Sequence, residues 1–167
     1  MADGGQIFAA EVTGVVDLDS TDVLIGRVEA DGRLAWARVW AGAHGDALGN
    51  LRPLQGGKPG AIIVDGEAAY MAITHVHSVA PAVRTAAVAL KIATSDGAVL
   101  WHTVVLDPPQ GGEQSQLSIA GHALVVDGER LFLTGSVIDH DAGDGSGESS
   151  VLLADLDALT GRLDRGL

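Results

Sequence analysis

The sequence predicts an all-β protein built from about three copies of one antiparallel unit, and three observations lead there. The hydrophobic residues, 47 % of the chain, are mostly Val, Leu, Ile and Ala with only 4 % aromatics, and 23 glycines punctuate the apolar runs. That mixture suits short strands joined by tight turns. Asp3-Gly4, Asp65-Gly66 and Asp127-Gly128 are spaced 62 residues apart (65 − 3 and 127 − 65). Phe8, Tyr70 and Phe132 keep the same 62-residue step, each inside an apolar stretch. A fixed period makes the copy, rather than the local motif, the unit of interpretation.

A second element recurs after the first. Val28-Glu29-Ala30-Asp31-Gly32-Arg33-Leu34 is repeated as Ile92-Ala93-Thr94-Ser95-Asp96-Gly97-Ala98-Val99 and as Leu156-Asp157-Ala158-Leu159-Thr160-Gly161-Arg162-Leu163. Its glycines step by 65 and then by 64, a one-residue change of turn length of the kind hairpin loops tolerate. Four residues past the glycine stand Trp36 and Trp101, but the third copy has Arg165 there.

Each unit reads as four short strands with turn signals between them. In the middle copy the strands are expected at about Ala61–Val64, Ala68–Val76, Ala86–Ala93 and Val99–Leu106, with Asp65-Gly66 and Asp96-Gly97 at hairpin turns. Ala82–Ala89 could pass for helix in isolation, but the repeat assigns it to a strand. The first copy opens at Asp3-Gly4, where the strand before the turn is missing, so eleven strands are expected as three, four and four. The units fall at about 1–58, 59–120 and 121–167 of one repeat domain.

The stretches Ala30-Asp31-Gly32-Arg33-Leu34-Ala35-Trp36, Ser95-Asp96-Gly97-Ala98-Val99-Leu100-Trp101 and Ala154-Asp155-Leu156-Asp157-Ala158-Leu159-Thr160-Gly161-Arg162-Leu163 resemble bacterial β-propeller repeats of the pyrroloquinoline-quinone-like, or quinoprotein-like, type. The resemblance covers nearly the whole chain. It implies blades of four antiparallel strands around a central channel, with the tryptophan packed between neighbouring blades, where a large planar side chain fills the gap between sheets. Complete propellers have about four to eight blades, and closure removes their exposed edges. Three blades are therefore expected either to pair into a larger ring as a homo-oligomer or to belong to a longer polypeptide. Enzymes of that family carry charged and aromatic residues converging on the axis, with calcium, and no residue of this chain can be matched to them one by one.

Charge narrows the partners. Asp and Glu outnumber Lys and Arg by 22 to 10 for a net charge of −12, which argues against nucleic acid. No stretch reaches the roughly 18 apolar residues of a membrane span, and no cysteine is present for disulfide, thiolate metal or nucleophile. The compartment stays open.

Among candidate sites, calcium comes first. Asp17, Asp19 and Asp22, and again Asp139, Asp141 and Asp144, form two Asp-x-Asp-x-x-Asp loops able to present several carboxylate oxygens to a hard cation. Their spacing is not that of an EF-hand, and aspartate in turns is common because it hydrogen-bonds its own backbone. His75 and His77 alternate on one strand and could share a transition metal, but two ligands do not make a site, and a satisfied or solvent-facing pair is the simpler reading. No Gly-x-Ser-x-Gly elbow is present, and Gly143–Gly147 lacks the lysine and helix of a phosphate loop. A strong repeat without a catalytic constellation points to a non-catalytic module that binds a protein or small ligand and takes part in assembly, with no cofactor. The alternatives are a portion of a quinoprotein-like or hydrolytic propeller enzyme and an engineered or excised structural fragment.

Overall fold

The computed structural model describes residues 4–13, 21–40, 57–79, 82–106, 117–139 and 148–166. These residues form eleven strands: β1 (Gln6–Thr13), β2 (Thr21–Val28), β3 (Leu34–Trp40), β4 (Gly57–Asp65), β5 (Ala68–Val79), β6 (Ala82–Ala93), β7 (Val99–Leu106), β8 (Leu117–Asp127), β9 (Arg130–Asp139), β10 (Glu148–Asp157) and β11 (Leu163–Gly166). No helix forms among the described residues. The strands make three antiparallel meanders, β1-β2-β3, β4-β5-β6-β7 and β8-β9-β10-β11. The middle copy matches its expected layout, with β4, β5 and β6 longer than foreseen. Ala82–Ala89, ambiguous in isolation, is extended and pairs along β5.

The turns explain why the meanders repeat. Gly66 and Gly128 both have φ of 59°, and Gly32, Gly97 and Gly161 have φ of 84°, 73° and 73°. Only glycine adopts that left-handed region without strain, so the recurrent glycines place the same reversals in successive copies.

The three sheets pack face to face in chain order. Along β5, Ala69, Met71 and Ile73 enter one apolar core while Ala68, Tyr70 and Ala72 enter the other. The same alternation runs along β6, with Val88, Leu90 and Ile92 on one side and Ala87 and Ala89 on the other. Successive side chains of a strand point to opposite faces, so a sheet covered on both sides must be apolar at every position. The first core is completed by Ile7, Ala9, Val23 and Ile25 of the first sheet. In the second core, the small alanines of β5 and β6 are met by Leu131, Leu133, Leu152 and Leu156 of the third sheet. Small against large residues lets the two faces interdigitate at native density.

One sequence expectation is corrected here. Phe8 does not stand where Tyr70 and Phe132 stand. Tyr70 pairs with Lys91 and Phe132 with Asp155, whereas the corresponding partner in the first sheet, Arg27, pairs with Ile7. Phe8 instead pairs with Gly26, and a Cβ added to Gly26 would collide with the Phe8 ring. The cause is one residue fewer after the first turn: Gln6, two positions past Gly4, pairs with Val28, the counterpart of Ile92, which pairs with Ala69, three positions past Gly66. A one-residue slip moves a side chain to the opposite face of its sheet.

Candidate functional site

The densest polar chemistry among the described residues lies at the joints between sheets. It begins with the β6–β7 turn. The Ala93 amide donates to the Ala98 carbonyl (2.9 Å), the Gly97 amide to the Ala93 carbonyl (3.0 Å), and the Thr94 amide to the Glu67 carbonyl in the β4–β5 turn (2.8 Å). The β10–β11 turn repeats all three bonds: Asp157 to Arg162 (2.9 Å), Gly161 to Asp157 (2.8 Å) and Ala158 to Glu129 (2.7 Å). In each case the amide of Thr94 or Ala158 is anchored and its carbonyl is left outside the ladder. A buried carbonyl needs donors from elsewhere.

The preceding sheet supplies them. Trp36 Nε1 and an Arg27 guanidinium nitrogen both donate to the Thr94 carbonyl at 3.1 Å. At the next joint the Ala158 carbonyl receives Lys91 Nζ (2.8 Å), Trp101 Nε1 (3.3 Å) and the Tyr70 hydroxyl (3.3 Å). The residue two positions past each tryptophan also bonds the following turn, Arg38 Nε to the Asp96 carbonyl (2.8 Å) and the Thr103 hydroxyl to the Gly161 carbonyl (2.6 Å). Each indole lies against the turn glycine of the following sheet: a Cβ added at Gly97 would come within 2.6 Å of the Trp36 ring, and one at Gly161 within 2.6 Å of the Trp101 ring.

Strand register brings cation and indole together. Arg27 pairs with Trp36 and Lys91 with Trp101, and in both sheets the ladder shifts at the next residue. Cross-strand partners share a face, and the bulge re-aims them at the neighbouring turn. Lys91 Nζ also sits 5.0 Å from the centre of the Tyr70 ring, whose negative face favours a cation.

The third sheet rewrites this arrangement in charge. Asp155 takes the position of Lys91 and pairs with Arg165, which takes the position of Trp101. The Arg130 guanidinium binds the Asp155 carboxylate through Nε (3.1 Å) and through a second, short contact, and its centre lies 4.8 Å from the centre of the Phe132 ring. The hydrogen bond that Arg130 donates to Asp155 raises its pKa above the ordinary value, so this cation is permanent. A cleft of about 780 Å³ opens beside Arg27, Glu67, Tyr70 and Lys91, and one of about 570 Å³ occupies the corresponding place on the third sheet beside Glu129, Arg130, Asp155 and Arg165.

Of the six aspartates proposed for calcium, Asp17, Asp19, Asp141 and Asp144 lie outside the described residues. Asp22 is buried at the start of β2, and Asp139 ends β9 in another sheet. Among the described residues no group of three His, Asp or Glu side chains could hold a metal. His75 is buried, and its ring meets that of Trp40 edge to face at 5.7 Å, so this histidine is part of the interior rather than solvent-facing. Sequence reasoning did not single out Arg27, Lys91 or the two turn carbonyls. A signal was present in the basic residue nine positions before Trp36 and ten before Trp101, but the differing offset hides the match until the turn lengths are aligned.

Among the described residues no helix is long and apolar enough to cross a membrane. In comparisons with known proteins, no family model matches the chain and no curated protein is similar enough to count as a relative.

Proposed function

We propose that the chain is a non-catalytic module of β-propeller blades whose work is binding and assembly. The observation that carries this reading is the use of the polar side chains at the joints. Tyr70, Lys91 and Trp101 converge on one backbone carbonyl, and Arg27 and Trp36 on another. Side chains of the types that an active site would spend on substrate are here spent on holding sheet to sheet. Two successive joints built from the same parts also fit a repeated blade, in which each sheet hides its apolar faces only against its neighbours. Protein or small-molecule ligands would then be met by the loops at the ends of the sheets, and calcium in the Asp17 and Asp139 loops would be a structural accessory.

The competing reading, a portion of a quinoprotein-like or hydrolytic enzyme, draws on the cleft beside Arg27, Glu67 and Lys91. One experiment separates the two. The purified chain is incubated with pyrroloquinoline quinone and calcium, offered alcohols and sugars with a redox dye, and assayed in parallel against a panel of chromogenic esters and glycosides. No turnover above a heat-denatured control is expected. Turnover abolished by Lys91→Met in a variant that remains folded would transfer the assignment to the enzyme.

A further inference from the structure

The outer faces of the first and third sheets resemble the two halves of the joint already made twice within the chain, and we infer that they bind each other between two copies. This rests on the assembly reading above and names its partner: a second copy of the same chain, docked head to tail.

Each internal joint has a trailing half and a leading half. The trailing half is a sheet face carrying a donor group at the Trp36 or Trp101 position. The leading half is a sheet face whose hairpin turn offers a carbonyl and a glycine. On the first sheet the leading half is open. The Glu29–Arg33 turn repeats the closing bonds of its counterparts, from the Glu29 amide to the Arg33 carbonyl and from the Gly32 amide to the Glu29 carbonyl, both 2.9 Å. It therefore places Ala30 where Thr94 and Ala158 stand. A Cβ added at Gly32 meets nothing within 4 Å, whereas at Gly97 and Gly161 it meets a tryptophan. The face beside this turn is apolar: Phe8, Leu24 and Val39 alternate with the residues that enter the first core.

On the third sheet the trailing half is open. Val125, Val151 and Leu153 are 57 %, 78 % and 44 % exposed on the face opposite the one that packs on the second sheet. Arg165, exposed, takes the tryptophan's place. A guanidinium is planar and donates through several N–H groups, so it can both cover a glycine and bond a carbonyl as the indole does.

The charges favour this pairing over a like-with-like one. The open turn carries two carboxylates, Asp31 and Glu29, the latter also bonded to Arg27 (3.2 Å), where the turns that receive an indole carry one each, Asp96 and Asp157. Arginine on the trailing face and carboxylates around the open turn match each other, whereas two trailing faces would set Arg165 against Arg165. A head-to-tail contact joins unlike patches, so two copies can close on each other through two identical joints.

The test is the particle mass of the 167-residue chain by sedimentation velocity and light scattering. Twice the 17.0 kDa of one chain is expected. Val151→Glu damages the trailing face and Val39→Glu the leading face, and each alone is expected to give single chains with an unchanged strand signature in circular dichroism. An equimolar mixture of the two is expected to recover a one-to-one complex, because each retains the half that the other lacks; recovery also shows that both variants are folded. Arg165→Glu is expected to weaken association by about tenfold or more. A folded single chain at every concentration would overturn the inference, and so would self-association that survives Val39→Glu. Either result leaves the non-catalytic reading standing, since that reading falls only to turnover.

Discussion

Trp101 of the second sheet is seated on Gly161 of the third, so close that a methyl group at residue 161 would lie 2.6 Å from the indole. The residue therefore has to be glycine for two separate reasons, its φ of 73° and the ring above it. Gly32 has only the first, with φ of 84° and open space around it. Gly161→Ala is expected to lower stability by about 2 to 4 kcal/mol, from left-handed strain and overpacking together, and Gly32→Ala by only about 1 to 2 kcal/mol. Urea midpoints at constant slope measure both. Equal losses would mean that the tryptophan contact contributes nothing.

The three donors on the Ala158 carbonyl should behave as a group. Lys91→Met keeps the side chain's volume and leaves Tyr70 and Trp101 bonded to the carbonyl, so a loss of about 1 kcal/mol or less is expected. Trp101→Phe should cost about 1 to 2 kcal/mol for the lost donor and contact area. The double variant should lose more than the sum, because the carbonyl then keeps only the 3.3 Å tyrosine bond. A double-mutant cycle by chemical denaturation reads the excess.

Phe8 and Gly26 form the pair that departs from the repeat, and they should be coupled. Gly26→Ala drives a methyl into the Phe8 ring and should destabilise the first sheet, and Phe8→Leu should relieve part of that cost. In the following sheet the corresponding residues, Met71 and Leu90, show that a smaller ring-free side chain can face a larger partner. The check is whether the double variant melts above Gly26→Ala alone.

Acid should act on the β10–β11 turn. Backbone and side-chain hydrogen bonds from Thr160 hold the Asp157 carboxyl below the usual aspartate range, with the Leu159 amide and Arg162 assisting. A carboxyl whose pKa is depressed on folding stabilises the fold at pH values above its unfolded pKa of about 3.9, and that contribution disappears as pH falls through the lower folded value. Asp157→Asn should therefore show a shallower loss of melting temperature than the parent between about pH 5 and pH 2. Parallel curves would exclude Asp157 as a source of the acid sensitivity.

Much of the architecture was legible because it is written in glycine and in period. The left-handed turns at Gly66, Gly128, Gly97 and Gly161 recur where a fixed step puts them, and three, four and four strands follow. The same period misled at Phe8, since a step counted along the chain cannot register the one residue lacking after Gly4 relative to Gly66. The joint was half legible: Trp36 and Trp101 stood out, but their acceptors are main-chain carbonyls, which every residue carries and no sequence pattern marks. Arg165 stood out only as a departure from the tryptophan pattern. At the indole position Arg165 exchanges one planar donor for another, while Asp155 puts an acceptor where Lys91 is a donor. The aspartate loops were legible as composition alone, because sequence spacing does not say which carboxylates share a point in space.

A joint that reads backbone has an evolutionary consequence. Residue 94 is threonine and residue 158 is alanine, yet both hold the same place, since neighbours grip the oxygen rather than the side chain. Drift at such positions leaves no trace in the mechanics of the array. Selection would instead be visible on the far side of the contact, at the indole and its companion cation, and at the glycine that makes room for them.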